Sequence, residues 1–275
     1  MKVYQTNEIK NIALIGSAGS GKTTLAEALL YGSGIIKRRG TVEQKNTVSD
    51  YFPVEQEYGY SVFPTVFHVE WNNKKLNFID CPGSDDFVGG AVTALNVCDQ
   101  ALLLVNGTYG PEVGTMNAFR NTEKLQKPVI FLVNQLDKDN CDHEIIVNNL
   151  KETYGAKCLP VQFPVATGPA FNAVIDVLTM KKYSWKPEGG MPIVENIPAA
   201  RMERLAEHLG VTPAYLMGWS TAAPTAQAKA LMDVFEQLDA EDQQKLNDFA
   251  AELTANAAKT VSNDSLAVPA QLRAG

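Results

Sequence analysis

No run of eighteen or more consecutive apolar residues occurs in the 275-residue chain, so no segment reads as a membrane-spanning helix. The opening Met1-Lys2-Val3-Tyr4-Gln5 lacks the basic start and apolar core of a signal peptide. Histidine is scarce: His68, His143 and His208 stand alone, without the spacing of metal ligands. Cysteine is scarce too. Cys81, Cys98, Cys141 and Cys158 form no C-x-x-C pair and read as free, mostly buried thiols of a reducing compartment, ahead of a disulfide or zinc site. A cytoplasmic protein is expected. Basic charge is in deficit, with 24 Lys and Arg against 31 Asp and Glu and a net charge of −7. That balance counts against a surface built to grip nucleic acid by its phosphates. The remaining composition, 45% apolar and 20% charged, is that of an ordinary globular chain, long enough for one large domain or two small ones.

What the sequence does have is Gly16-Ser17-Ala18-Gly19-Ser20-Gly21-Lys22-Thr23, followed by Thr24. The apolar run Asn11-Ile12-Ala13-Leu14-Ile15 precedes it and the helix-forming stretch Thr24 to Leu30 follows. Strand, glycine-rich turn and helix form the setting in which G-x-x-x-x-G-K-[ST] is a phosphate loop. Its glycines let successive N–H groups turn inward, and the helix start adds unpaired N–H groups and its positive dipole end. Lys22 is placed to reach the β- and γ-phosphates, and the Thr23 hydroxyl to ligate Mg²⁺.

Residues 32–61 read as a long polar loop, with Lys37-Arg38-Arg39 as a solvated basic triplet. Two alternating segments, 62–71 and 75–80, read as a hairpin joined by Asn72-Asn73-Lys74. The second ends in Asp80-Cys81-Pro82-Gly83, an acidic strand end suited to hold Mg²⁺ through water, with the Gly83 N–H available to a γ-phosphate. Helices are expected over 86–97, 112–125 and 142–154, a buried strand over 101–105 and a further strand over 129–133. The last strand delivers Asn134-Gln135-Leu136-Asp137. A carboxylate at Asp137 accepts from two guanine donors that adenine does not offer, and Asn134 is placed to tie this loop to the phosphate loop.

In order and spacing these motifs resemble the translational GTPases, and within them the GTP-binding domain of elongation factor G. The carrying residues are Gly16 to Thr23, Asp80 to Gly83 with Asp86-Phe87, and Asn134 to Asp137. Glu55-Gln56-Glu57-Tyr58-Gly59-Tyr60-Ser61 resembles the family's switch-one motif E-Q-E-R-G-I-T, and 171–185 the start of its inserted subdomain. The resemblance covers about residues 8–199. It implies an α/β phosphate-loop domain with a mostly parallel sheet, GTP and GDP as ligands, Mg²⁺ held by Thr23, Ser61 and Asp80, and the ribosome as partner. Ribosome-protection GTPases share the same front end. Four departures stand out. Ser61 replaces a threonine, Tyr58 an arginine and Gln135 a lysine that packs over the base. Ser84, followed by the carboxylate Asp85, replaces the histidine that aims the attacking water. The resemblance therefore implies a divergent GTPase in which Lys22 stabilises charge and position 84 is degenerate, so hydrolysis is expected to be weak.

From about Ala200 the resemblance stops, before the family's last strand and guanine-contacting loop. Residues 200–275 are expected to form a helical tail, with apolar stripes at Met202 to Leu209, Leu231 to Leu238 and Leu246 to Leu253 and a disordered last dozen residues. The segments 202–219 and 231–253 resemble the end of phage-repressor-type helix-turn-helix proteins. No recognition helix precedes them, however, and six Lys and Arg against ten Asp and Glu give this region a net of −4. A DNA-binding regulator acting through these C-terminal helices is the alternative reading, with DNA a disfavoured partner.

Overall fold

The computed structural model describes residues 3–155, 158–186 and 190–197. The chain divides into two units, Met1–Ile197 and Pro198–Gly275. All described elements belong to the first; the expected tail helices and disordered end lie outside the described residues.

Strand β1 (Ile9–Gly16) is the centre of a five-stranded sheet. Ala13 and Ile15 pack with Ala91, Leu95 and Leu103, while Ile12 and Leu14 face Ala26, Leu30, Phe67 and Phe78. The split follows the period of two along a strand, and a strand covered on both faces needs an apolar residue at every step. β1 pairs in parallel with β3 (Lys74–Asp80) and β4 (Gln100–Asn106), and β4 in parallel with β5 (Val129–Asn134). At the far edge β2 (Thr65–Trp71) runs antiparallel to β3, giving the order β2-β3-β1-β4-β5. The four parallel strands therefore deliver Gly16, Asp80, Asn106 and Asn134 to one edge, the carboxyl edge where open α/β sheets hold their ligands. Helix α1 (Lys22–Gly32) covers one face; α3 (Val88–Val97) and α4 (Val113–Lys124) cover the other. Helix α5 (His143–Tyr154), capped by Asp142, sets Ile146 and Leu150 against Val105. Among the described residues β5 has no outer neighbour in this sheet.

Three local readings of the sequence change. The hairpin turn has two residues, not three: Asn72 and Asn73 sit at φ 45° and 59°, the left-handed pair that tight hairpins require. β2 begins at Thr65 rather than Val62, because the Val62 and Phe63 N–H groups are taken by the Glu55 carboxylate. Within the expected loop lies helix α2 (Pro53–Tyr58), started by proline and ended by Gly59 at φ 73°. A single turn over Asp85–Phe87 precedes α3. A second, antiparallel sheet of β6 (Gln162–Pro164), β7 (Ala173–Asp176), β8 (Lys181–Ser184) and β9 (Ile193–Asn196) buries Phe163, Ala173 and Ile175.

Candidate nucleotide-binding site

At the carboxyl end of β1 the chain turns through Gly16, Gly19 and Gly21 at φ 137°, 75° and 93°. No side chain caps α1, so its first N–H groups face the loop. Lys22 is buried and folds back over the loop, its Nζ donating to Gly16 O (2.9 Å) and Ser17 O (2.8 Å). An ammonium has three donors, so one remains for an anion in the cradle. Burial pulls this ammonium below its ordinary range, against the opposing pull of Asp80 and Asp50. Gly83 closes the front of the cradle. A Cβ there would collide with Lys22 Nζ and lie 2.7 Å from Ala18 N, so the space beside Gly83 is lined by a cation and a backbone amide. Ala18, Gly19 and Thr24 are exposed, whereas Ser17 and Ser20 are buried, with the Ser17 hydroxyl 2.8 Å from that of Thr115.

The acidic corner lies beside it. Thr23 Oγ1 donates to Asp80 Oδ2 (3.0 Å) and lies 3.2 Å from Ser61 Oγ, which donates to Asp50 Oδ1 (2.7 Å). Burial pushes Asp80 up to about 6, against the pull of Lys22 and the Thr23 hydroxyl; burial likewise raises Asp50, with the Ser61 hydrogen bond opposing. Asp80 Oδ1 and Ser49 Oγ are buried without a hydrogen-bond partner, although Ser49 stands near enough to lower Asp80. Two buried carboxylates, three hydroxyls and an orphaned carboxylate oxygen are the hard oxygen donors that a magnesium ion with its waters takes up. The residues fit. Thr23, Ser61 and Asp80 therefore stand together, joined by Ser49 and Asp50 from a polar loop without pattern.

At the other end Asn134 Nδ2 donates to Ser20 O (2.8 Å) and Gln135 Nε2 to Gly19 O (2.8 Å). A trans peptide points its C=O and N–H opposite ways, so holding Ser20 O outward turns the Gly21 N–H away from Asn134. Gly21 is held at φ 93°, and a Cβ there would strike Asn134 Nδ2 and push its amide off Ser20 O. Asp137 is exposed on the turn after β5, which Lys138 N closes onto Gln135 O (3.1 Å). Ser84 is half-buried and its Oγ accepts from Asp86 N (3.4 Å). The neighbouring Asp85 carboxylate accepts from Asn117 Nδ2 at 3.3 Å and 3.4 Å, which holds it toward α4.

Sequence reasoning missed two carboxylates that shape the site from behind. Glu27, fully buried on α1, accepts from Gly40 N (2.7 Å) and Val48 N (2.5 Å) and fastens the polar loop to the helix. Glu55 does the same for the segment after Ser61. An acidic residue inside an apolar helix stripe and one in a quoted motif were the available signals.

A phosphate loop opening a helix, an acidic strand end and an amide-bearing strand end on one edge of a parallel sheet define a nucleotide-binding protein of the phosphate-loop class. The sequence profile of the elongation factor Tu GTP-binding domain matches residues 7–255, and the chain belongs to that family. It is 34% identical over 201 residues to an elongation factor G-like protein of Thermotoga maritima, covering 73% of this chain and 28% of the relative. It is 32% identical over 202 residues to elongation factor G of Fervidobacterium nodosum, covering 73% and 29%. A crystal structure from Thermus thermophilus superposes with a TM-score of 0.69 at 32% identity, covering 78% of this chain and 34% of that one. The chain thus spans less than a third of the length of these two curated relatives. Among the described residues no helix is long and apolar enough to cross a membrane.

Proposed function

We propose that the chain is a guanine-nucleotide-binding GTPase domain of the elongation factor G type, working in the cytoplasm with the ribosome as partner and hydrolysing GTP slowly. The observation that carries this reading is the joined chain Thr23–Asp80 and Thr23–Ser61–Asp50 beside Lys22. This geometry supports the reading of Thr23, Ser61 and Asp80 as metal donors beside the phosphate cradle. Thr23, Ser61 and Asp80 would hold magnesium, which when bound supplies charge neutralisation across the phosphates. Lys22 and the loop N–H groups meet the charge that develops on the β–γ bridge. Asp137 gives guanine its selectivity, and Asn134 joins base loop to phosphate loop.

The group that would aim the attacking water is lacking. Ser84 is short, carries no positive charge, and its hydroxyl caps the turn at Asp86. Asp85, turned to Asn117, does not substitute for it. The test is multiple-turnover phosphate release by the wild type and Ser84→His, each with and without ribosomes. Slow release by the wild type and faster release by the variant are expected. Fast release by the wild type would defeat the slow-hydrolysis reading, and a variant no faster than wild type would show that position 84 is not limiting.

A further inference from the structure

Backbone donors and a backbone acceptor stand at the two ends of a side-chain chain near the base end of the site. On one side the N–H groups of Thr108 and Tyr109, just past β4, donate to Asn106 Oδ1 at 2.8 Å and 3.2 Å. On the other, the carbonyl of Gly19 in the phosphate loop accepts from Gln135 Nε2 (2.8 Å). Between them Asn106 Nδ2 donates to Gln135 Oε1 (3.0 Å). Asn106 is buried and level with Asn134 in the β4–β5 ladder, one residue short of Gln135, which is held at φ 61°.

The polarity of this chain runs one way. Because one end consists of donors and the other of an acceptor, each amide has a single orientation that satisfies both neighbours. Gln135 must accept from Asn106 and donate to Gly19. A lysine cannot do both: its ammonium has donors only, so toward Asn106 Nδ2 it would set donor against donor. An aspartate at 106 changes that, since one carboxylate oxygen serves the two N–H groups and the other accepts from a cation.

We infer that Asn106 is a positioning residue for the nucleotide site, and that Asn106 and Gln135 form a matched neutral relay coupling the base loop to the phosphate loop. Gln135 on this account is a fitted member of the pair, not a weakened lysine. With Asn134 on Ser20 O, the β5 end then grips two consecutive carbonyls of the phosphate loop. The inference rests on the guanine-nucleotide reading for its effect on binding, but not for the pairing itself.

The experiment is a double-mutant cycle on the full chain, with wild type, Gln135→Lys, Asn106→Asp and the double variant. GDP affinity is read by fluorescence titration with a labelled GDP in excess magnesium, and the nucleotide-free proteins are melted in parallel. Each single variant is expected to bind GDP about tenfold more weakly, the size of one mispaired, partly buried hydrogen bond. The double variant is expected to return to within about threefold of wild type, with the same order in the melts. Rescue by the complementary pair separates positioning from simple damage. Gln135→Lys binding as tightly as wild type, or a double variant showing only the sum of the two losses, would overturn the relay. Should the wild type not bind GDP at all, the functional reading fails, and the melting cycle still decides the pairing: additive losses there overturn it.

Discussion

Removing the Glu55 carboxylate should unfasten the segment that carries Ser61. Glu55 is 1% exposed; its Oε1 accepts from Val62 N (2.9 Å) and Phe63 N (3.0 Å), and its Oε2 from Phe52 N (3.2 Å). Hydrogen bonds to a charged acceptor contribute about 1.5–3 kcal/mol each. The two shorter ones would therefore cost about 3–6 kcal/mol if their N–H groups stayed dry. Val62 is half-buried and Phe63 46% exposed, so water recovers part of that. Glu55→Ala is expected to lose about 2–4 kcal/mol, a fall in Tm of about 4–16 °C for a domain of this size. Glu55→Gln keeps one oxygen for both N–H groups but turns its amide N–H2 toward Phe52 N–H, and should lose less than Glu55→Ala, about 1–2 kcal/mol. The assay is thermal unfolding of the nucleotide-free chain, with GDP affinity compared in magnesium and in chelator. In Glu55→Ala the gain from magnesium should shrink, because Ser61 is no longer held against Thr23. A Glu55→Ala protein melting within about 1 °C of wild type would refute the reasoning, as would an equal loss for both variants.

Gly21→Ala should abolish nucleotide binding and lower Tm. A left-handed φ of 93° costs a non-glycine residue about 1–2 kcal/mol, and the new Cβ displaces Asn134 from Ser20 O; a titration and a melt check both. Thiol reactivity should follow burial. Burial raises all four thiols, Cys98 to about 11, so little thiolate exists near neutral pH. Cys158, half-buried where the other three are buried, should react first with a disulfide reagent, and Cys158→Ser should remove the fast phase; rapid labelling of Cys81 would contradict the packing.

How much of this was legible in the residues depends on the length scale of the signal. The phosphate loop, Asp80 and Asn134 were readable because each sits at the end of a strand with its own pattern: β1 an apolar run buried on both faces, β3 an alternating segment and β5 a short apolar run. Gln135 was readable as a departure but not in its role, since its partner Asn106 lies on another strand, 29 residues earlier in the chain. The same distance problem hid Glu27, whose partners Gly40 and Val48 belong to a loop with no period. The second sheet went unread from pattern alone because strands of three or four residues give too few alternations to count. Helix α2 was hidden by its six-residue length inside polar sequence.

The central claim is that the carboxyl edge of the sheet holds a guanine nucleotide and selects it through Asp137. Calorimetric titration of wild type and Asp137→Asn with GDP, XDP and ADP in magnesium tests it most directly. The wild type is predicted to prefer GDP over both others by at least about 100-fold, since two hydrogen bonds to a carboxylate contribute about 1.5–3 kcal/mol each. Asp137→Asn is predicted to turn that preference toward XDP, whose base offers an acceptor where guanine offers a donor. Equal binding of GDP and XDP by both proteins, or ADP bound as tightly as GDP by the wild type, would contradict the account.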